Sequence, residues 1–409
     1  MNKILPKIAL GAWSWGVGTA GGDQVFGNYL SADDLKPVFK KAMEHGLCLW
    51  DTAAVYGEGS SERILGNFVK GVSREDVILS TKFTPQIASA SPDAMQEMID
   101  GSKERLYTDI IDIYWIHNPM DVEKWTPDII PLAKSGQIKA IGVSNHNLAE
   151  IKRADEILAA EGLKISAVQN HFSLLHRSSE RAGILDYCKE NGITFYSYMV
   201  LEQGALTGRY TEENPFPAGT GRGDSYNPHL KKLAALIHEM EIIGTRFDAN
   251  PAQVATAWAI AKGTLPIIGV TKVYQVEEAA KATQIALTDD EIRRLEKLGD
   301  ETGISTLREW EKEMWAVTTK EVIDGFREGS GENAERNAYA NELFQEAVRI
   351  GMELNMQYHT PEEIREIMGR LIGKKVDGSF RMFPPFYTDF GKNITILTRK
   401  KTEKITMRR

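Results

Sequence analysis

Cysteine is scarce in this chain: Cys48 and Cys188 are the only two among 409 residues. Two thiols build no disulfide framework and suit a reducing compartment, so a cytoplasmic protein is expected. Long apolar runs are missing as well. The opening MNKILPKIAL is too short an apolar stretch for a signal peptide, and no segment reaches membrane-span length. A basic excess is also lacking, because 49 Lys and Arg against 57 Asp and Glu leave a net charge of −8. That balance excludes a general nucleic-acid binder, whose footprint is a basic domain. His171 and His176 stand five apart without further ligands at metal spacing, so no metal site is expected.

What the chain does have is a regular alternation from residue 5 to about 285. Strand-like apolar runs are IALGAW (8–13), LCLWDTA (47–53), VILSTKF (77–83), IIDIYWIH (110–117), IKAIGVSN (138–145), ISAVQNHF (165–172), ITFYSYMV (193–200) and LPIIGV (265–270). Helical periodicities lie between them. In LKPVFKKAMEHG, Leu35, Val38, Phe39, Ala42 and Met43 share one face and Gly46 suits the stop, although Pro37 is awkward inside that helix. Eight buried-looking strands, each followed by a helix, predict an all-parallel sheet. Eight such units in roughly 250 residues fit a closed (β/α)₈ TIM barrel better than an open sheet. The connection from the seventh strand to the eighth is longer, with two helices expected around 228–262. A charged, mainly helical appendage follows. The expected divisions are a barrel over 1–305, a helical segment over 306–396 and a disordered basic tail over 397–409.

Functional side chains of a barrel collect at the C-terminal ends of its strands. The second run ends at Asp51 with Tyr56 just beyond, the third at Lys82 and the fourth at His117. Alone, each has an ordinary explanation: a turn cap, packing, an edge charge, a satisfied core histidine. Together they make a tuned proton donor. A phenol titrating near pH ~10 is a poor acid at neutrality. A neighbouring ammonium stabilises the phenolate, and a carboxylate compensates the buried ammonium. An imidazole beside the phenol can orient and polarise a carbonyl oxygen. Such a set reduces nothing unaided, so a hydride source is required.

On these residues the chain resembles the aldo/keto reductases. The resemblance covers roughly residues 5–300 through GAWSWG, DTAAVYGEGSSE, LSTKF, YWIHNP, GVSNH, VQNHFSLL and EQGALTGRY, in that order. It implies carbonyl reduction of a small-molecule aldehyde or ketone by NADPH without a metal, with Asp51, Tyr56, Lys82 and His117 as the tetrad. It further implies that Ser144, Asn145 and Gln169 hold the nicotinamide amide and that Tyr198 stacks on its ring. Ser144 and Asn145 also have a plainer reading as the cap of the following helix. Leu201 lies in the same YMVLEQGALTG stretch, and Arg209 and Arg222 are implied for the phosphates. Gly269, Thr271, Lys272, Gln275 and Glu278 in GVTKVYQVEEA are implied for the adenosine end. Ala279 stands where the family usually has Asn, which leaves NADH open beside NADPH. The resemblance extends to potassium-channel β subunits, so a nucleotide-binding regulatory subunit with little turnover is the alternative.

Gly16, Gly18 and Gly21 satisfy G-x-G-x-x-G, but GDQVFGNYL intervenes before any helical period. A flexible mouth loop is therefore expected in place of a dinucleotide fingerprint. Trp13 and Trp15 nearby are expected to line the carbonyl pocket, with Trp13 also against the cofactor. Beyond residue 318, YHTPEEIREIMGRLIGKKVDGSFRMFPPFYTDFGKNITI resembles the N-terminal part of the maltose/galactoside-type sugar O-acetyltransferases. GKNITI would be one hexapeptide turn of that family's β-helix, and repeat folds need several turns to bury a core. The tail from Leu397 carries six Lys/Arg against one Glu and contains no histidine, so acetyl transfer is not expected. A partly ordered remnant is the expectation. The alternative is an interaction module built on Phe380, Phe383, Phe386, Tyr387 and Phe390.

Overall fold

The structure is a computed structural model that describes residues 4–27, 29–306, 347, 349–355, 358–372 and 376–382. Eight strands close a barrel in chain order: β1 (Ala9–Gly11), β2 (Leu49–Asp51), β3 (Ile78–Phe83), β4 (Ile111–Ile116), β5 (Ile138–Ser144), β6 (Ala167–His171), β7 (Thr194–Tyr198) and β8 (Leu265–Gly269). Every neighbouring pair is parallel, and β8 returns to β1 through Ala9↔Ile267 and Gly11↔Gly269. The barrel read from the eight apolar runs is the observed fold. Its interior is filled by one or two residues from each strand, among them Ala9, Leu49, Ile78, Ile113, Trp115, Ala140, Ala167, Tyr196 and Leu265.

Trp115 is the largest of these and is fully buried. Its indole lies across β5 at Gly142, where an added Cβ would meet the ring at 2.2 Å. Its Nε1 donates to Ser80 Oγ at 2.6 Å, so the one polar atom of a buried indole is satisfied. Ser80 Oγ in turn donates to Asp51 Oδ1 at 2.8 Å, which links the packed interior to the end of β2.

Helix starts follow from capping chemistry. Ser31 with Asp34, Asn147 with Glu150, Asn250 with Gln253 and Thr288 with Glu291 each form a reciprocal box that satisfies otherwise orphaned amides. The first of these starts a helix at Ala32–Glu44 that runs through Pro37, which sits on its exposed side. A strong cap and four buried apolar residues outweigh the one lost backbone bond. Between β7 and β8 stand the two expected helices, Leu230–Thr245 and Pro251–Ala261, preceded by a short one at Gly221–Tyr226. A further short helix, Gly22–Phe26, forms within the loop read from the sequence as having no helical element.

The chain divides into two compact units, Met1–Arg308 and Glu309–Arg409. In the second, helix Pro361–Ile372 and helical residues 349–355 bury Ile350, Leu354, Ile364, Ile367, Met368 and Leu371. Phe380, one of the exposed aromatics of the interaction-module alternative, packs partly buried against that small cluster. Phe383, Phe386, Tyr387, Phe390, GKNITI and the basic tail lie outside the described residues.

Candidate active site

Asp51 ends β2, and Lys82 is the penultimate residue of β3. Lys82 is fully buried, and its Nζ donates to Asp51 Oδ2 at 2.5 Å and to the Thr52 carbonyl at 2.8 Å. Burial alone would pull a lysine pKa down. The Asp51 charge, the neighbouring Tyr56 oxygen and the hydrogen bonds that Lys82 donates to both more than offset that, so Lys82 titrates above its ordinary value and stays an ammonium. The other Asp51 oxygen accepts from Ser80 Oγ at 2.8 Å and from Gln169 Nε2 at 3.1 Å.

Tyr56 stands on the turn after β2, and its ring centroid lies 5.2 Å from Lys82 Nζ. That turn approaches the β1 loop closely. A Cβ at Gly16 would sit 3.0 Å from the Tyr56 carbonyl, and one at Gly57 (φ +57) would sit 2.6 Å from Val17 N. Gly16 therefore serves a close backbone approach beside Tyr56. The His117 ring meets the Tyr56 ring edge-on at 5.9 Å, and Thr84 Oγ1 holds His117 Nδ1 at 2.9 Å. The four expected residues thus converge from three successive strand ends.

Beside them, Asn145 Nδ2 donates to the His117 carbonyl at 2.9 Å, and Tyr198 donates its hydroxyl hydrogen to Asn145 Oδ1 at 2.6 Å. Asn145 adopts φ 63°, a left-handed conformation that asparagine tolerates better than most residues. Ser144 Oγ donates to the Gln169 carbonyl at 2.8 Å. His146, next along, is buried, and desolvation drops its pKa to about 4, so the imidazole is neutral. Ser144, Asn145, Gln169 and Tyr198 therefore form one polar patch against the tetrad. Gln169 also reaches Asp51, a link the sequence did not suggest.

The two tryptophans part company. Trp13 is half-buried, 5.8 Å from the Tyr56 ring and 5.2 Å from Phe26, with Nε1 donating to the Ala20 carbonyl. Trp15 does not line the mouth. It is fully buried against Trp50 and Phe68, and its Nε1 donates to the Val270 carbonyl at 2.7 Å. The 3₁₀ turn Trp13–Trp15 sends alternate indoles in different directions, which adjacency in sequence did not reveal.

The remaining expected contacts spread around the rim. Leu201 is half-buried, and Gly269 is exposed at the end of β8. Arg209 is exposed over the Tyr210 ring. Arg222 spans the β1 and β7 loops, donating to the Phe26 carbonyl at 3.3 Å and the Gln203 carbonyl at 3.4 Å. Its Nε is buried with no protein partner, an unmet donor that an anion would satisfy. The amides of Thr271 and Lys272 donate to Gln275 Oε1 at 2.7 and 3.0 Å, which turns Gln275 inward as a helix cap. Glu278 accepts from Asn250 Nδ2 at 2.7 Å, and burial raises its pKa. A groove of about 710 Å³ beside it is lined by Asn250, Gln253, Tyr274, Glu277, Glu278 and Lys281, among others. Asp51, Tyr56, Lys82 and His117 do not line that groove, so it belongs to the Glu278 end of the rim.

Comparison with known proteins agrees with this architecture. The profile described as the Aldo/keto reductase family matches residues 7–300. Aldo-keto reductase str7 of Strobilurus tenacellus is 30% identical over 316 residues, spanning 74% of this chain and 91% of its own. Aldo-keto reductase yakc of Schizosaccharomyces pombe, designated NADP(+), is 30% identical over 286 residues, spanning 65% and 83%. Among solved structures, a thermostable aldo-keto reductase, Tm1743, bound to the inhibitor epalrestat aligns with a TM-score of 0.59 at 25% identity, covering 73% of this chain and 97% of that one. A parallel barrel with a buried Asp–Lys pair beside a tyrosine and a histidine is an oxidoreductase architecture. The chain belongs to the aldo/keto reductase family.

Proposed function

We propose that the protein reduces an aldehyde or ketone to an alcohol with NADPH, and that Tyr56 delivers the proton. The observation that carries this reading is the fully buried Lys82–Asp51 pair set against the Tyr56 ring. When bound, the reduced nicotinamide supplies the hydride. Ser144, Asn145 and Gln169 would hold its amide, Tyr198 would face its ring, and Trp13 would flank it. Arg209 and Arg222 would serve the phosphates, Leu201 would contact the cofactor beside them, and Gly269, Thr271, Lys272, Gln275 and Glu278 would serve the adenosine. The donor set fits: amide and hydroxyl groups cluster beside the tetrad, and Arg222 carries an unmet buried N–H. Designation of the yeast relative for NADP(+) supports the choice of nucleotide.

The ammonium of Lys82 stabilises the phenolate that forms as Tyr56 releases its proton to the carbonyl oxygen. Asp51 keeps that ammonium charged at its buried position. The Thr84 contact fixes the His117 ring, which then orients the carbonyl next to the phenol. General acid catalysis of this kind contributes on the order of 10²–10⁴ in rate.

Neither Cys48 nor Cys188 is in a disulfide, which supports a reducing, cytoplasmic setting. Among the described residues no helix is long and apolar enough to cross a membrane. The C-terminal unit lies beyond the family match. We read it as a remnant resembling an acetyltransferase cap, without a part in the chemistry.

The test is NADPH oxidation on adding each of a panel of small, aromatic and sugar-derived aldehydes. Turnover with at least one supports carbonyl reduction. Tight nucleotide binding with no turnover across the panel would favour the regulatory-subunit reading instead.

A further inference from the structure

Glu202 takes no part in the chemistry above, yet it is a fully buried carboxylate at the catalytic end of the barrel. It follows β7 and adopts φ 47°, a conformation that a glutamate holds only when its surroundings impose it. Its Oε1 accepts from His171 Nε2 at 2.9 Å, from Thr306 Oγ1 at 3.1 Å and, at close range, from Ser173 Oγ. Its Oε2 accepts from Tyr226 OH at 2.9 Å. Four donors match the four lone-pair sites of a carboxylate group, and they come from three separate segments. These are the end of β6 with its following turn, the helix Gly221–Tyr226, and the stretch at Thr306 that follows the helix Asp289–Glu301.

His171 carries this hub toward the site. It pairs with Tyr198 across the β6–β7 ladder, and the two rings stack 5.6 Å apart at 28°. On its other side His171 lies 4.2 Å from the His176 ring. Tyr198 is in turn tied through its hydroxyl to Asn145, whose amide holds the His117 carbonyl. Backbone bonding from Phe172 N to the Tyr198 carbonyl at 3.1 Å completes the attachment. A ring stacked on one side, bonded at its tip and ladder-paired along its backbone has little freedom left.

We infer that Glu202 is a positioning residue for cofactor binding: through His171 it sets the plane of the Tyr198 ring on which the nicotinamide rests. The inference depends on the reading of Tyr198 given above. A stability role alone would need no histidine stacked on that tyrosine. The carboxylate also fixes which nitrogen of His171 carries hydrogen toward it, and so the orientation of the imidazole.

The test uses the full chain with Glu202→Gln, which keeps the shape but can no longer accept at both oxygens. NADPH affinity is measured by quenching of intrinsic fluorescence, together with KM for NADPH and kcat at saturating nucleotide. The expected result is an NADPH dissociation constant and KM raised about tenfold with kcat within about threefold, because the tetrad is untouched. Tyr226→Phe, which removes one donor and leaves His171 bonded, should move both by less than about threefold, and His171→Phe, which cuts the link to Glu202, is the test if Glu202→Gln fails to fold. His171→Phe should retain the stack and fall between them. A dissociation constant within about twofold of wild type in Glu202→Gln, with only the melting temperature lowered, would overturn the inference and leave a structural role. A wild-type protein that binds no NADPH would instead remove the reading of Tyr198 beneath it.

Discussion

Substituting Asp51→Asn removes the charge that keeps Lys82 an ammonium in a fully buried site. The amide would retain an oxygen for Ser80 or Gln169, but the atom facing Lys82 at 2.5 Å would become a donor or a weaker acceptor. Leaving one partner of a buried pair costs about 3–5 kcal/mol. In a barrel of this size, at about 2 °C per kcal/mol, that lowers the melting temperature by roughly 6–10 °C. The charged lysine can relieve part of the cost by losing its proton. With the opposing Asp51 charge gone and the burial unchanged, the ammonium would give way at a lower pH than in wild type. Turnover should then fall and its pH dependence should move, because the group that stabilises the Tyr56 phenolate is neutral over more of the range. The assays are thermal unfolding and a pH–rate profile at saturating NADPH. Stability within about 1 kcal/mol of wild type, with an unshifted profile, would refute the claim that this pair tunes the site.

Other consequences follow from the same geometry. Gly142→Ala places a methyl 2.2 Å from the Trp115 ring and should destabilise by about 1–3 kcal/mol, read as a lower denaturant midpoint. Because the folded-state pKa of Lys82 lies above the ordinary lysine value of 10.5, its stabilising contribution is complete below that pH and lost as pH rises through the folded value. Alkaline unfolding should therefore begin above about pH 10.5, and Lys82→Met should flatten that limb of the stability curve; an identical alkaline limb in the variant would contradict the assignment. Limited proteolysis should leave a stable fragment ending near residue 305, the close of the barrel unit, whereas a protease-resistant full chain would favour an interaction module in the C-terminal unit.

How much of this was legible in the sequence depends on whether the signal is local. The barrel was, because eight apolar runs separated by helical periods leave few alternatives. Asp51, Tyr56, Lys82 and His117 were, because each stands at or just past the end of a run. Ser80 could have been found from the same run, two residues before Lys82 on the same face of β3. The Gln169–Asp51 bond joins residues 118 apart across the barrel and has no local signature. The same holds for Glu202 and His171, whose contact depends on how two loops fold back at the mouth. Trp15 was misplaced because a 3₁₀ turn, unlike the strand before it, does not alternate between two faces. Pro37 cast doubt on a helix whose capping box, Ser31 with Asp34, was itself present in the sequence.

The most direct test of the central claim is Tyr56→Phe, which removes one hydroxyl beside Lys82 and leaves the ring against His117 and Trp13. Measured together, NADPH affinity by fluorescence titration and aldehyde-dependent NADPH oxidation should separate: affinity within about threefold of wild type, turnover lower by on the order of 10²–10⁴. Turnover equal to wild type in that variant would show that the proton comes from elsewhere.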